Sequence, residues 1–305
     1  MKDKFYRSFI LTVSEKICNI LIVITEGIWI YFAVIIPMYL AGEIPSLPGL
    51  SRGCRSFLIL TGNKSIKFAM SGSLSLEKEF ENYKKLLSKQ EDFQRILPNY
   101  RIKRVRKVAL LISEQFNEID DMLKMAAALK IRKVLQENCT FSVRLNLSDC
   151  PEIIAGLDYI ERFFGLQQAL RLRKYVNDYL SLEGYVAGAC HGDFHARNIM
   201  KNSIDEYVLI DLDCVRLNGI QDFDALYYSL ECEWSKTGDL WVDSLTRSFS
   251  ESNSITRNVL KNFDIQWTKG LGVSFFLDRI GQDYTQFGIR YSRESINNLL
   301  KSTMN

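Results

Sequence analysis

The sequence is most tightly constrained around one polar run, Cys190-His191-Gly192-Asp193-Phe194-His195-Ala196-Arg197-Asn198-Ile199-Met200. Both histidines of the chain lie in it. An apolar stretch, residues 207–210, follows and ends in Asp211-Leu212-Asp213. An aspartate, an asparagine five residues later and an acid at the end of a short strand form a layout that is typical of phosphoryl-transfer sites.

The polar residues of this run have distinct predicted roles in that chemistry. Asp193 would accept the proton of an attacking hydroxyl, and His191 would hold the loop backbone by hydrogen bonds. Asn198 and Asp211 would hold Mg²⁺ against phosphate oxygens, because both are hard oxygen ligands of the kind this ion prefers. Asp213 is predicted as an auxiliary metal ligand.

Two other interpretations of the run are open. His191, Asp193 and His195 offer three ligands for the mononuclear metal site of a metallohydrolase, although no further histidine exists to complete it. The run could also be a polar turn between two strands. The number of polar residues that lie at the spacing of a phosphoryl-transfer site favours that chemistry over both alternatives.

The composition is that of an ordinary globular protein. The 305 residues allow one large or two modest domains, and 47% apolar with 25% charged residues is enough to bury a core. The net charge of +3 is too small to indicate a nucleic-acid partner. Seven scattered cysteines without a CxxC pair fit reduced thiols in a reducing compartment, and no zinc site is indicated.

Residues 17–41 are the most apolar stretch, with Glu26 as the only charge. Twenty-five residues could cross a bilayer, but a single span would export everything after residue 45 and deprive the site of ATP. A re-entrant or interfacial hairpin at the membrane and a buried part of the fold are the alternatives, and the glutamate favours these two. Residues 1–48 are therefore predicted as an apolar N-terminal segment, with residues 17–41 a candidate membrane contact.

Residues 49–114 predict a small antiparallel sheet with one helix. Strands are expected at 55–60, 65–69 and 108–112, and an amphipathic helix at 76–89. The basic stretch 101–107 predicts a solvated edge strand, or alternatively a surface for an anionic membrane.

Lys67 on the second of these strands and Glu79 on the helix match a pair used by nucleotide kinases. The lysine contacts the α- and β-phosphates, and the glutamate holds the lysine in place. Glu77 and Glu81 are rivals for the glutamate, and a solvated surface is the plainer interpretation of all four. Glu114 lies where the chain would cross into a second lobe and present backbone amides to adenine. The candidate phosphate-covering loop, residues 49–54, lacks a GxGxxG spacing.

Residues 115–305 predict a mainly helical lobe. Apolar positions at helical spacing begin at Ile119 and continue through Leu129, then from Pro151 to Phe164. A further helix is expected at 166–181, and the chain after 215 is predicted to be mostly helical.

The motif HGDFHARN followed by VLIDLD resembles the aminoglycoside phosphotransferase and choline kinase family, whose pattern is HGDxHxxN and a strand ending in ID. Gly219 and Asp224, in GIQDFDAL, resemble a further family stretch whose aspartate braces the catalytic loop. Lys67 and Glu79, in SIKF and EFENYKKL, resemble the strand lysine and helix glutamate. The resemblance covers about residues 50 to 230 and implies a protein-kinase-like fold.

The chain departs from that family at three places. Ala196-Arg197 stands where a small or proline-glycine pair is usual, so Arg197, with His195, is a candidate substrate contact. A glycine-rich phosphate loop is not recognisable. The apolar stretch 17–41 is not a usual part of the family.

Together these features predict an α+β, two-lobed protein-kinase-like fold with an N-lobe at 49–114 and a C-lobe at 115–305. The predicted activity is Mg-ATP-dependent phosphorylation of a small-molecule, sugar or glycolipid hydroxyl, with a surface-polysaccharide or lipid sugar favoured over an aminoglycoside or choline. The predicted location is the cytoplasm or the cytoplasmic face of a membrane. A membrane-associated pseudokinase-like binding protein without phosphotransfer is the alternative, because the glycine loop is missing.

Overall fold

The computed structural model describes residues 49–50, 56–61, 64–69, 75–89, 91–105, 108–137, 145–181 and 187–303. The predicted apolar segment, residues 1–48, lies outside the described residues. The chain divides into two compact units. The smaller contains the described residues up to Glu77 together with Asn99–Gln115, and the larger contains Lys78–Pro98 and the chain from Phe116 onward.

The smaller unit is a five-stranded antiparallel sheet of strand order β1-β2-β3-β5-β4. Its strands are β1 (Gly49–Leu50), β2 (Ser56–Thr61), β3 (Lys64–Ala69), β4 (Arg101–Val105) and β5 (Val108–Glu114). Lys67 lies on the central strand, in register with Leu58 of β2 and Leu111 of β5. The basic strand β4 lies at the edge of the sheet, as predicted, where charged side chains discourage pairing with another chain.

The larger unit is mainly helical. Its described helices are α1 (Ser75–Lys89, whose first turn belongs to the smaller unit), α2 (Lys124–Glu137), α3 (Pro151–Phe164), α4 (Leu166–Ser181), α5 (Gln221–Thr237), α6 (Trp241–Ser250), α7 (Ile255–Leu260), α8 (Lys269–Phe287) and α9 (Arg293–Ser302). Pro151 starts α3 at a position where its missing N–H costs nothing. Thr268 caps α8 by accepting a hydrogen bond from the Leu271 amide at 3.1 Å. None of the described helices has the length and apolarity needed to cross a bilayer.

Helices α3 and α8 cross at direct backbone contact. A Cβ atom on Gly281 of α8 would lie 1.9 Å from the carbonyl oxygen of Glu152, and one on Gly156 of α3 would lie 2.1 Å from that of Leu277. Only glycine allows this approach, because any side chain would force the two helices apart. The crossing therefore fixes the position of α8 in the core.

The described part of the larger unit also contains four short strands: β6 (Ala187–Cys190), β7 (Ile199–Lys201), β8 (Tyr207–Leu209) and β9 (Arg216–Ile220). They form two separate antiparallel pairs, β6 with β9 and β7 with β8. The described chain after 215 is mostly helical, as predicted, but the prediction did not include the strand Arg216–Ile220. Five residues are too few for periodicity to separate a strand from a helix, and the pairing partner of this strand, β6, lies far earlier in the chain.

The helix predicted from Ile119 begins instead at Lys124. The side chain of Asp120 accepts a hydrogen bond from the Met122 amide at 2.9 Å, and the Asp120 carbonyl accepts one from the Leu123 amide at 2.8 Å. These bonds close a turn before the helix, as aspartate side chains commonly do. Met122 is consequently 86% exposed rather than part of an apolar stripe.

Candidate active site

The polar run lies between β6 and β7, and the turn that contains Asp211 lies between β8 and β9. Because β6 pairs with β9 and β7 with β8, the two segments are held side by side. The Ile210 amide donates to the Asn198 carbonyl at 2.9 Å. Gly192 has φ +75°, and a Cβ there would lie 2.4 Å from the Cys214 carbonyl oxygen, so this position of the loop requires glycine.

Asp224 lies in the first turn of α5 and is 4% exposed. Its carboxylate accepts hydrogen bonds from the amides of His191 at 2.6 Å and Gly192 at 2.9 Å. Burial raises the pKa of Asp224, while His191 and the two amides oppose the rise. The carboxylate thus fixes the backbone immediately before Asp193.

His191 is buried and connects the two segments of the site. Its Nε2 lies 2.8 Å from the Ile210 carbonyl oxygen, and its Nδ1 lies 3.3 Å from the Asp193 amide nitrogen. Since the amide can only donate, Nδ1 accepts and the ring proton belongs on Nε2. The imidazole therefore links the backbone of Asp193 to the residue that precedes Asp211.

Asn198 is 5% exposed and turns its amide nitrogen towards Asp193. Nδ2 donates to the Asp193 carbonyl at 3.0 Å and lies 3.4 Å from its Oδ2. The nitrogen is committed to these contacts, so Oδ1 is the atom that Asn198 can offer to a metal ion.

Asp211 has left-handed backbone angles, φ 61° and ψ 59°. Such a conformation is uncommon outside glycine and clusters at functional sites. Asn82, a buried residue of α1, lies next to it and directs its Nδ2 to the carbonyl oxygens of Leu212 at 2.8 Å and Asp213 at 3.4 Å. Sequence reasoning missed Asn82, although it lies three residues after Glu79 on the same face of the helix.

The carboxylate of Asp193 has a basic side chain next to each of its oxygens. Arg279 of α8 places Nη2 3.0 Å from Oδ1, and His195 places Nε2 3.4 Å from Oδ2. Burial disfavours the charged carboxylate, but Arg279 and then His195 outweigh it and hold the pKa of Asp193 well below its usual range. Sequence reasoning also missed Arg279, which carried no local signal in an amphipathic helix.

Glu231 of α5 lies behind the loop and is 6% exposed. It accepts a hydrogen bond from the Ala196 amide at 2.5 Å and pairs with Arg197 Nε at 3.4 Å, with His195 Nδ1 3.9 Å away. The side chain of Arg197 is 73% exposed. The two predicted substrate contacts, His195 and Arg197, therefore share one buried acid.

The predicted nucleotide residues lie on different elements. Lys67 is half-buried on β3, and Glu114 is half-buried at the end of β5, where it is in register with Lys64. Glu79 is 1% exposed, whereas Glu77 is half-buried and Glu81 exposed. A buried carboxylate needs compensating partners, which makes Glu79 the strongest of the three candidates. Its pairing with Lys67 stays a prediction.

The predicted phosphate-covering loop is only partly described. Gly49 and Leu50 form the short strand β1, in register with Leu58 and Phe57, rather than a loop. The rest of that predicted loop, residues 51–54, lies outside the described residues.

Asn198 and Asp211 fit the metal that the predicted chemistry requires. Mg²⁺ takes one or two oxygen ligands from the protein and fills its other positions with water and substrate phosphates, so two hard oxygen donors suffice. Asp213, the auxiliary candidate, is 6% exposed. Within the described ranges, no group of three or more His, Cys, Asp or Glu side chains is placed to hold a metal ion. The three-ligand alternative built on His191, Asp193 and His195 is therefore unsupported.

Comparison with known proteins identifies solved structures that share the fold of this chain. No protein-family model matches the sequence, and no curated protein matches it. Among solved structures, the choline kinase LicA from Streptococcus pneumoniae superposes with a TM-score of 0.53 at 14% identity, covering 90% of this chain and 99% of that one. A choline/ethanolamine kinase family protein from Mesorhizobium loti gives 0.51 at 10% identity, covering 92% of both chains. ADP-bound aminoglycoside phosphotransferase APH(2'')-Ib gives 0.47 at 15% identity, covering 90% and 97%.

The fold is therefore the kinase-like fold of the choline kinases. The fold class predicted from the sequence, α+β with a small antiparallel sheet and a larger helical part, is confirmed. Identities of 10% and 14% establish a shared fold only, so the activity has to be inferred from the residues of the site.

Proposed function

We propose that this protein is a phosphotransferase that moves the terminal phosphoryl group of Mg-ATP to a hydroxyl of a small molecule. One observation carries the proposal: a loop whose backbone is held by the buried Asp224 and His191 places the Asp193 carboxylate beside Asn198 and is hydrogen-bonded to the segment that contains Asp211. Phosphoryl transfer needs positioning and charge neutralisation more than covalent chemistry, and this loop supplies positioning.

In this proposal, Asp193 accepts the proton of the attacking hydroxyl as the new P–O bond forms, while the bond from the γ-phosphorus to the β–γ bridging oxygen breaks and ADP leaves. His191 and Asp224 keep the backbone of the loop in place during the step. Asn198 and Asp211, with Asp213 as the auxiliary residue, would hold Mg²⁺, which neutralises charge on the phosphate oxygens. Lys67, oriented by Glu79, would contact the α- and β-phosphates, and the backbone at Glu114 would meet adenine.

The ion pairs on and near α5 support a neutral or acidic acceptor over a cationic amine. A site for a cation needs available carboxylates, and three acids that could supply them, Glu231, Glu233 and Asp239, are paired with arginines. Glu231 pairs with Arg197, while Glu233 and Asp239 both pair with Arg247, at 2.5 and 2.8 Å. We therefore favour a sugar hydroxyl over an aminoglycoside or choline.

The finer identity of the acceptor, a surface-polysaccharide or lipid sugar, is supported by sequence alone. Residues 17–41 are apolar and residues 101–107 are basic, a combination suited to an anionic membrane surface. Use of ATP requires that the site face the cytoplasm. The expected location is thus the cytoplasm or the cytoplasmic face of a membrane.

A thermal-shift measurement combined with a turnover assay tests the proposal. Mg-ATP at about 100 times its Kd should stabilise the fold by roughly 2.7 kcal/mol. Asp211→Asn should remove the Mg-dependent part of this shift. Asp193→Asn should keep it but lower turnover by about 10²–10⁴-fold, the usual contribution of a general base.

Asp205→Asn is a matched control, because Asp205 also has a positive φ, 65°, but is exposed and pairs with Lys201. It should behave like the unaltered protein. The proposal fails if purified protein binds no ATP in the presence of Mg²⁺ and Asp211→Asn makes no difference.

A pseudokinase-like binding protein is a second candidate, favoured by one observation. Both oxygens of Asp193 already have a basic neighbour, Arg279 at one and His195 at the other, and the Arg279 contact lowers the tendency of the carboxylate to accept a proton. This candidate predicts a thermal shift with Mg-ATP but no transfer to any acceptor of a sugar, polyol and amine panel. Turnover that depends on Asp193 would exclude it.

A further inference from the structure

We infer that Arg279 is a positioning residue for Asp193, an inference that rests on the proposed function. Arg279 lies on α8, and its side chain is 13% exposed. It contacts the loop through two of its nitrogen atoms, Nη1 and Nη2.

The guanidinium group joins the side chain of Asp193 to the backbone of the loop. Nη1 donates to the Gly192 carbonyl at 3.0 Å, and Nη2 lies 3.0 Å from Asp193 Oδ1. Because the guanidinium is planar and rigid, two contacts through adjacent nitrogens fix the direction of the carboxylate relative to the peptide before it. A lysine, which offers one point charge, cannot make both contacts in this geometry.

Arg279 is itself held from two further sides. Its Nε lies 3.3 Å from Asp283 Oδ2, one helical turn along α8, and its guanidinium carbon lies 4.4 Å from the centre of the Tyr227 ring. Asp283 also accepts a hydrogen bond from the Tyr291 hydroxyl, which in turn accepts one from Trp241 Nε1 at 3.1 Å. The arginine therefore cannot swing away without breaking several buried contacts.

This arrangement makes the two oxygens of Asp193 unequal. Oδ1 is bound to Arg279 at 3.0 Å. The contacts of Oδ2 with His195 Nε2 and Asn198 Nδ2 are both 3.4 Å long, near the weak end for hydrogen bonds. Oδ2 is therefore the oxygen that meets the acceptor hydroxyl, and Arg279 turns it towards that position.

The test compares Arg279→Lys with Arg216→Lys. Arg216 is a matched control because it forms a two-point pair with Asp278, the neighbouring residue on α8, at 2.6 and 2.9 Å. Arg279→Lys should lower kcat by about 10–100-fold with KM for ATP changed less than about threefold, because misplacement of a reacting group by about 1 Å costs around 100-fold. Arg216→Lys should leave kcat within about threefold, and thermal unfolding should show both variants folded.

Chemical rescue gives a second readout that a merely structural role would not move. Guanidinium ions, but not ammonium ions, should restore part of the turnover of Arg279→Ala, and neither ion should change that of Arg216→Ala. Unchanged kcat in Arg279→Lys, or higher turnover in Arg279→Ala, would overturn the inference. The inference would also be overturned if the variants of Arg279 and of Arg216 lost activity in the same proportion to their loss of thermal stability and guanidinium ions restored none of it. If the unaltered protein transfers no phosphate, the proposed function is wrong, and this inference, which rests on it, is wrong as well.

Discussion

Asp211 shows how much support a single strained residue receives here. Its left-handed backbone is flanked by Ile210, whose amide and carbonyl are bound by Asn198 and His191, and by Leu212, whose carbonyl is bound by Asn82. Such a conformation costs an aspartate about 1–3 kcal/mol, and it persists only where the surrounding structure determines it. These neighbours supply that determination and aim the side chain of Asp211.

Asn82→Ala tests this support at the scale of one residue. The variant loses both hydrogen bonds to the Leu212 and Asp213 carbonyls, so Asp211 should be held less precisely. We expect Mg²⁺ to bind about 10–100-fold more weakly, the usual effect of removing a partner that orients a metal ligand. A titration of Mg²⁺ in the presence of ATP, read by thermal shift, measures it.

Lys85→Ala, an exposed change on the same helix, is the control and should leave the Mg²⁺ titration unchanged. Equal Mg²⁺ affinity in Asn82→Ala and the unaltered protein would contradict the role given to Asn82.

The sequence predicted the local part of the site and could not predict its distant partners. His191, Asp193, Asn198, Asp211 and Asp224 lie within one motif of fixed spacing, and the structure brings them together. Arg279 lies 87 positions after Gly192, and tertiary packing alone brings it to the loop. The signal from Asn82 was its helical spacing from Glu79, which becomes informative only when the partner loop is known.

At the scale of elements, helices α5, α6 and α7 are tied together by one acid. Glu233 of α5 is 3% exposed and accepts hydrogen bonds from the Thr256 amide at 2.9 Å, the Thr256 hydroxyl at 2.7 Å and Arg247 Nε at 2.5 Å. Thr256 lies on α7 and Arg247 on α6. Loss of the carboxylate would leave the Thr256 amide and the Nε of Arg247 without their acceptor.

We therefore expect Glu233→Ala to lower the free energy of unfolding by about 3–5 kcal/mol, the usual cost of breaking a buried ion pair from one side. Asp239→Ala removes the exposed partner of the same arginine and should cost about 0–1 kcal/mol. Urea denaturation followed by circular dichroism measures both. Similar losses in the two variants would show that Glu233 does not tie the helices.

Elements were predicted well where one pattern dominates and less well where two compete. The strands and helix of residues 56–89 and the helix at 166–181 follow clear periodicity and clear turn residues. The start of α2 was wrong because an aspartate turn interrupts an apolar pattern that continues through it. Strand β9 was missed because its partner, β6, is distant in sequence.

At the scale of the whole molecule, the balance of 39 basic and 36 acidic side chains predicts sensitivity to acid. Burial disfavours the charge on Asp193, but Arg279 and His195 outweigh burial, so its folded pKa lies below its unfolded value. The stability that this ion pair contributes is present above the ordinary aspartate pKa of about 4 and is lost as the pH falls below it.

The urea midpoint of the unaltered protein should therefore fall as the pH drops below about 4, and the fall should be smaller in Asp193→Asn. The asparagine variant lacks the titrating group, although its midpoint at neutral pH should be lower because Arg279 loses a partner. Asp205→Asn, an exposed change, should reproduce the pH dependence of the unaltered protein. An identical pH dependence in Asp193→Asn would contradict the ion pair with Arg279.

The carboxylate of Asp224 has a consequence for how the loop moves. The two amides that it binds, those of His191 and Gly192, can exchange their hydrogens with solvent only when Asp224 leaves them. Since Asp224 belongs to the buried first turn of α5, these two amides are anchored to a helix of the core rather than to the loop alone. In the proposed phosphotransferase, a substrate that reaches Asp193 therefore loses little entropy in ordering this loop.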